Sequence, residues 1–204
     1  MAQFSTVTDR LRISTVDRRQ QLIDAAIRVI RREGVESASL RTIASEAKAS
    51  LAAVHVCFTN KDELMQAAAA ELLQQLVRSI PRVVDGSEDV RAIAHRVMDL
   101  FWAQMVSDQL NILAQFEIGI WAKRNPHHGD LSRIVYSDYE KEISKLLIAA
   151  AERQKQTIAA RDVARALIVI MDGCSLQYFA DPSDPRHKDL CDSLVDAYLD
   201  RVGL

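Results

Sequence analysis

Between Ser39 and Lys61 the chain sets five hydroxyls, Ser39, Ser50 and Thr59 among them, beside the cations Arg41, Lys48 and Lys61 and the imidazole of His55. The chemistry these groups offer is hydrogen bonding and charge pairing with an anionic, polar surface. Apolar residues recur at Leu40, Ile43, Ala44 and Ala47, which is the spacing of one helical face. Ser50 is placed to cap a second short helix whose inward positions are Val54 and Phe58. Two helices so close bury each other's stripe and leave one flank of the second exposed. That is the pattern of a helix-turn-helix, which can lay its second helix in the major groove of DNA.

The rest of the chain must position this motif. With 204 residues, 49% of them apolar, it can build one or two compact domains around real cores. Six glycines and four prolines are few, and Ala, Leu, Arg and Glu are plentiful, which predicts an all-α protein. Residues 1–16 read as a flexible arm bearing Arg10 and Arg12, residues 17–60 as the helix-turn-helix domain, and residues 61–204 as a helical body. Helix one is predicted from Asp17 to Glu33, where Gly34 ends it. Helix four carries Leu64, Ala68, Leu72 and Leu76 and stops at Pro81. A loop at Asp85–Asp89 precedes helix five, and helix six breaks at Asn125-Pro126. Helix seven follows Gly129 and runs to about Glu152. Helix eight, about Ala160 to Phe179, is apolar on nearly every side, and Asp184-Pro185 is expected to open helix nine with proline at its first position. The longest strongly apolar run, Leu167 to Met171, is too short to cross a bilayer, and no secretory leader is expected. Cys57, Cys174 and Cys191 show no metal-ligand spacing, so reduced thiols in a cytoplasmic protein are the simple reading.

Charge divides the same way. Through Lys61, ten Lys or Arg stand against six Asp or Glu, a net +4, while the remainder carries sixteen against twenty-two, a net −6. A basic head on an acidic body points to a polyanion at the head alone.

From Arg18 to Leu64 the chain resembles the DNA-binding domain of the TetR family of bacterial repressors. The matching residues are Leu22 to Ala26, Glu33-Gly34, Ser39 to Arg41, Ile43-Ala44, Ala47, Ser50, Phe58 and Lys61 to Leu64. Farther on, Phe116 to Ala122 and Met171-Asp172-Gly173 resemble the C-terminal domain of the BetI-like branch. The resemblance implies a nine-helix TetR-like architecture, a three-helix DNA-binding domain and a helical ligand-binding and dimerisation domain. Four positions depart from the family pattern, among them His55, where tyrosine is usual. Lys48 stands where the family usually has glycine with a left-handed backbone, Ala52 where glycine is frequent, and Cys57 where an aromatic residue often touches phosphate.

On this resemblance the chain is a sequence-specific, ligand-responsive repressor that binds a palindromic operator as a homodimer. Leu51 and Ala53 are candidates for thymine methyls and His55 for a base edge, while Arg41 would take either a guanine or a phosphate. Ser39, Lys48, Thr59 and Lys61 would hold phosphates, and Ser50 would start the recognition helix. Arg10 and Arg12 could enter the minor groove or remain a solvated arm. Helices eight and nine are expected to pair two subunits, or helix eight is instead an internal core helix. An effector of unknown identity is expected among helices five to eight, with Met98, Phe101, Trp102, Met105, Phe116, Trp121, Tyr136 and Tyr178 as candidate walls, or as ordinary core. Occupation would move helix four. Glu117 is a candidate for a cationic ligand or for a partner arginine. No cofactor, metal, membrane or catalytic residue is expected, since His127-His128 sit in a Pro/Gly loop and Cys174 lacks a base. The rival readings are a dimeric scaffold that has lost DNA binding and a small helical enzyme.

Overall fold

Helices are the outcome wherever the computed structural model describes the chain, which is residues 14–79, 88–124 and 130–204. In order they are α1 (Thr15–Glu33), α2 (Leu40–Glu46), α3 (Leu51–Cys57), α4 (Lys61–Ser79), α5 (Val90–Ser107), α6 (Gln109–Arg124), α7 (Leu131–Arg153), α8 (Ala160–Ala180) and α9 (His187–Arg201). The expected arm with Arg10 and Arg12, the Pro81 stop, most of the Asp85–Asp89 loop, and Asn125 to Gly129 with His127-His128 lie outside the described residues.

Two compact units divide within α4, after Ala68. In the first, α1 is capped by Ser14, whose Oγ accepts from Asp17 N–H, so the helix opens at Thr15, two residues before the expected Asp17. Gly34 ends it at φ 81°, a backbone conformation easiest for a residue without Cβ. Leu22, Ala25, Ala26, Val29 and Ile30 of α1, Ile43 and Ala44 of α2, and Val54 and Phe58 are all buried. Each large side chain among them contributes about 1.5–3 kcal/mol on burial. Arg28 and Arg32 pair with Glu46 at 2.8 and 3.1 Å, but the arginines are half exposed and such pairs contribute at most about 1 kcal/mol. Apolar packing therefore sets the head, and the ion pairs trim it.

In the second unit α5, α7, α8 and α9 share one core, which includes Val97, Met98, Leu147, Leu167 and Val195. A second cluster joins Met105, Ile112 and Tyr178 to Phe101, Trp102, Phe116 and Phe179. Arg91 of α5 donates to Asp196 at 2.6 Å and to Asp200, and His95 lies 2.9 Å from Asp196, so α9 is tied to α5. Glu140 of α7, itself buried, accepts from Arg165 of α8 at 2.7 Å, and the arginine holds its carboxyl below the ordinary range.

Two expectations need correction, and one helix break carries no sequence signal. Asp184-Pro185 does not open α9: the Asp184 carboxylate accepts from Arg186 N–H at 2.9 Å and from its guanidinium, closing a tight turn before the helix starts at His187. α5 and α6 meet across Asp108 alone, where neither glycine nor proline marks the break. α8, with 21 residues, is long and apolar enough by composition to cross a bilayer, contrary to the short-run reading. Its Val163, Ala164, Leu167 and Ile168 are instead buried in the core shared with α5, α7 and α9. Its other flank is open, with Val169 64% and Leu176 55% exposed, beside exposed Leu190 and Leu194 of α9.

Candidate nucleic-acid interface and ligand cavity

The head presents its polar groups through caps and one strained turn. Ser39 Oγ accepts from Thr42 N–H at 3.0 Å and bonds the Thr42 hydroxyl at 2.7 Å, which starts α2. Ser50 Oγ accepts from Ala53 N–H at 3.1 Å and starts α3. Between them Lys48 takes φ 51°, so the left-handed turn persists without glycine. That conformation costs a lysine about 1 kcal/mol. Gln21 steadies the turn, its Nε2 donating to Ala47 carbonyl oxygen at 2.9 Å.

Since Val54 and Phe58 point inward, Leu51, Ala52, His55 and Val56 form the exposed face of α3. Val56 is 74% exposed, more than Leu51 at 37%. It is not singled out in the sequence reading, although its position one residue past His55 places it on the outer face. Ala53 is half-buried behind the Ser50 cap. Arg41 and Lys48 are exposed on the same motif, and Lys61 is half-buried at the start of α4. Thr59 is less free than expected. Its N–H and hydroxyl bond Glu63, whose carboxyl they hold below the ordinary range, while Asn60 Oδ1 takes Glu63 N–H at 2.9 Å. Acidic Asp62 and Glu63 therefore occupy the first turn of α4, which weakens it as a phosphate cradle. Cys57 turns back toward α1, its Sγ 3.9 Å from the Thr15 carbonyl oxygen. The face can do one kind of chemistry: apolar contact and hydrogen bonding to base edges, flanked by cations.

In the second unit a cavity of about 370 Å3 opens among α5 to α8, within the size range of small-molecule sites. α5 gives Val97, Leu100, Phe101 and Gln104, α6 gives Ile112, Gln115 and Phe116, α7 gives Val135, Tyr136 and Tyr139, and α8 gives Ile168, Met171 and Asp172. Of the candidate walls, Phe101, Phe116 and Tyr136 are there. Met98, Trp102, Met105, Trp121 and Tyr178 are not. On α5 the residues 97, 100, 101 and 104 form one face, while Met98, Trp102 and Met105 lie on the adjacent face that packs into core. Trp102 meets Tyr178 edge-on at 5.5 Å, and Tyr178 accepts from Gln109 Nε2 at 3.1 Å. Trp121 is half-buried on α6, outside the wall. Glu117 is exposed and also lies outside it.

The carboxylate of the cavity is Asp172, which accepts from the Tyr136 hydroxyl at 2.7 Å. Burial raises its pKa above the ordinary carboxyl value, with the tyrosine pulling the other way. Burial and Asp172 together keep Tyr136 protonated, so it remains a donor. Tyr139 donates to Gln115 Oε1 at 3.2 Å, and Gln115 Nε2 is buried with no partner among the described residues. Such an orphan donor costs about 1–3 kcal/mol unless something fills it. Elsewhere, buried Cys174 and Cys191 place their thiols in hydrogen-bonding contact between α8 and α9, which pushes Cys191 up.

Residues 22–75 match the family model described as bacterial regulatory proteins, tetR family. The chain is 96% identical over 194 residues, covering 95% of it and 100% of the relative, to the HTH-type nicotine-responsive transcriptional repressor HdnoR of Paenarthrobacter nicotinovorans. It is 26% identical to the HTH-type transcriptional regulator BetI of Brucella anthropi, covering 89% of this chain and 91% of that one. Among solved structures, the multidrug binding protein EbrR complexed with ethidium aligns with TM-score 0.68 and 25% identity, over 89% of this chain and 97% of that one.

Proposed function

This chain belongs to the TetR family of bacterial regulatory proteins and is a ligand-responsive transcriptional repressor, and from that premise we propose that it binds a palindromic operator as a homodimer and leaves it on binding nicotine or a near analogue. It is a regulator, not an enzyme. The observation that carries the reading is the outward face of α3, where apolar Leu51 and Val56 flank His55 on an otherwise solvent-facing helix. Exposed apolar side chains in this position suit thymine methyls, and Arg41 adds a bidentate donor. Arg10 and Arg12 would add minor-groove contacts from the arm.

One α3 covers half a site, so two copies must be spaced by one turn of the duplex. The open flanks of α8 and α9, with Val169, Leu176, Leu190 and Leu194, are the apolar surface a second copy would cover. In the cytoplasm, where the DNA lies, the effector would enter the cavity among α5 to α8. It acts by binding the DNA-incompetent form more tightly than the competent one. α4 carries residues of both units, and the change is proposed to pass along it. Selection of genomic duplexes by the purified chain, with sedimentation of the free and bound protein, tests this. A symmetric motif bound by two copies and released by nicotine supports it, and a monomer without sequence preference rejects it.

A further inference from the structure

The cavity has two polar poles set in an apolar, aromatic lining. On α8, Asp172 accepts one hydrogen bond, from Tyr136, and a carboxylate has room for more. On α6, Gln115 spends its Oε1 on the Tyr139 hydroxyl and leaves its Nε2 donors buried without an acceptor. Tyr136 and Tyr139 connect the poles. They sit three residues apart on α7 with rings 6.3 Å apart and steeply inclined, so both poles are held from one stretch of α7. Phe101 and Phe116 complete the aromatic wall. Lys123, at the end of α6, also lines the cavity but is itself exposed.

A half-buried carboxylate among aromatic rings suits an ammonium group, which gains both charge pairing and contact with ring faces. An amide N–H pair without an acceptor suits a lone pair on a neutral ring atom. We propose that Asp172, held by Tyr136, is the counter-ion for a protonated ligand amine, and that Gln115 Nε2 donates to a neutral acceptor on an aromatic ring of the same ligand. This deepens the effector reading above and rests on it, assigning the pyrrolidine nitrogen of a nicotine-type ligand to Asp172 and the pyridine nitrogen to Gln115. Glu117 takes no part.

Calorimetric titration of the full chain tests the assignment with three ligands. They are nicotine, its non-basic lactam cotinine, and N-methyl-2-phenylpyrrolidine, which lacks the ring nitrogen. For the wild-type chain, cotinine binds roughly 10- to 100-fold more weakly than nicotine, and the phenyl analogue roughly 2- to 10-fold more weakly. Asp172→Asn brings nicotine down to the cotinine level and leaves cotinine itself little changed. Gln115→Met weakens nicotine but not the phenyl analogue. Comparing ligands on the unaltered chain keeps the test independent of whether a variant folds. Nicotine binding that Asp172→Asn does not alter, equal losses for nicotine and cotinine, or cotinine binding as tightly as nicotine on the wild-type chain each overturn the assignment and leave the effector reading standing. If neither nicotine nor the phenyl analogue binds the wild-type chain, the effector reading itself falls, and the assignment with it.

Discussion

The head and the body use their side chains in opposite directions. In the head, the proposed DNA-contacting groups point outward from a short stretch, Ser39 to Lys61, while Val54 and Phe58 hold the motif from within. In the body, the groups point inward from four helices between Val97 and Asp172 and share those helices with the core. Outward faces can change with little effect on stability, because nothing packs over them. Inward walls cannot, since a change in Phe101 or Ile168 is felt by the core behind it. Recognition of DNA is thus separable from folding in the head, whereas ligand recognition in the body is entangled with it.

The largest test of this contrast removes the support and keeps the face. Phe58→Ala deletes a ring that is 2% exposed and lies beneath the Arg19 guanidinium, 4.2 Å from its centroid. It should destabilise the head by about 3–5 kcal/mol and abolish DNA binding, while calorimetry still detects ligand binding by the body. Loss of both activities together would mean that the two units do not fold separately.

Next in size, Arg41→Ala removes an exposed side chain and should leave the melting temperature unchanged. It should weaken binding to a selected duplex by about 1–3 kcal/mol and relax one base position. Equal weakening on every sequence in a binding titration would restrict Arg41 to phosphate.

Lys48→Gly relieves the left-handed strain at φ 51° and should stabilise the head by about 1 kcal/mol in thermal melts. The same change deletes a cation, so the salt dependence of DNA binding should drop by about one phosphate contact. A more stable head with an unchanged slope would remove Lys48 from the DNA face.

The smallest effect concerns pH. Hydrogen bonds from Arg28 and Arg32 hold the Glu46 carboxyl below its ordinary value of 4.5. A carboxyl depressed in the folded state adds stability above its unfolded value and loses it as pH falls through the folded one. Melts of the wild type and Glu46→Gln should therefore differ slightly at neutral pH and converge in acid. A gap that persists in acid would assign the effect to packing.

The two regions were also unequally legible in the sequence. The head is local: caps at Ser39 and Ser50 and the inward Val54 and Phe58 follow from spacing within a few turns, and the strained Lys48 from the family resemblance. Even there Val56 is not singled out as a contact, although the helical period places it on the outer face. The body depends on which of two apolar faces of α5 meets the core, and periodicity is silent between Met98 and Val97. Asp172 is marked only as part of the Met171-Asp172-Gly173 resemblance, with no role, and Gln115 reads as an ordinary amide. Only the meeting of α6, α7 and α8 makes them poles of one cavity. The α5–α6 break at Asp108 carries no glycine or proline to announce it, and Asp184-Pro185 offered a helix start that the Asp184–Arg186 turn pre-empts.

The measurement closest to the central claim is the ratio of affinities for a selected duplex and a random one, at one stated salt concentration, for the wild type and for a chain with Leu51, His55 and Val56 all changed to Ala. The outward face of α3 as reader requires the ratio to fall toward one in the altered chain while random-duplex affinity and its salt slope hold. A ratio that survives the triple change would place sequence recognition elsewhere in the protein.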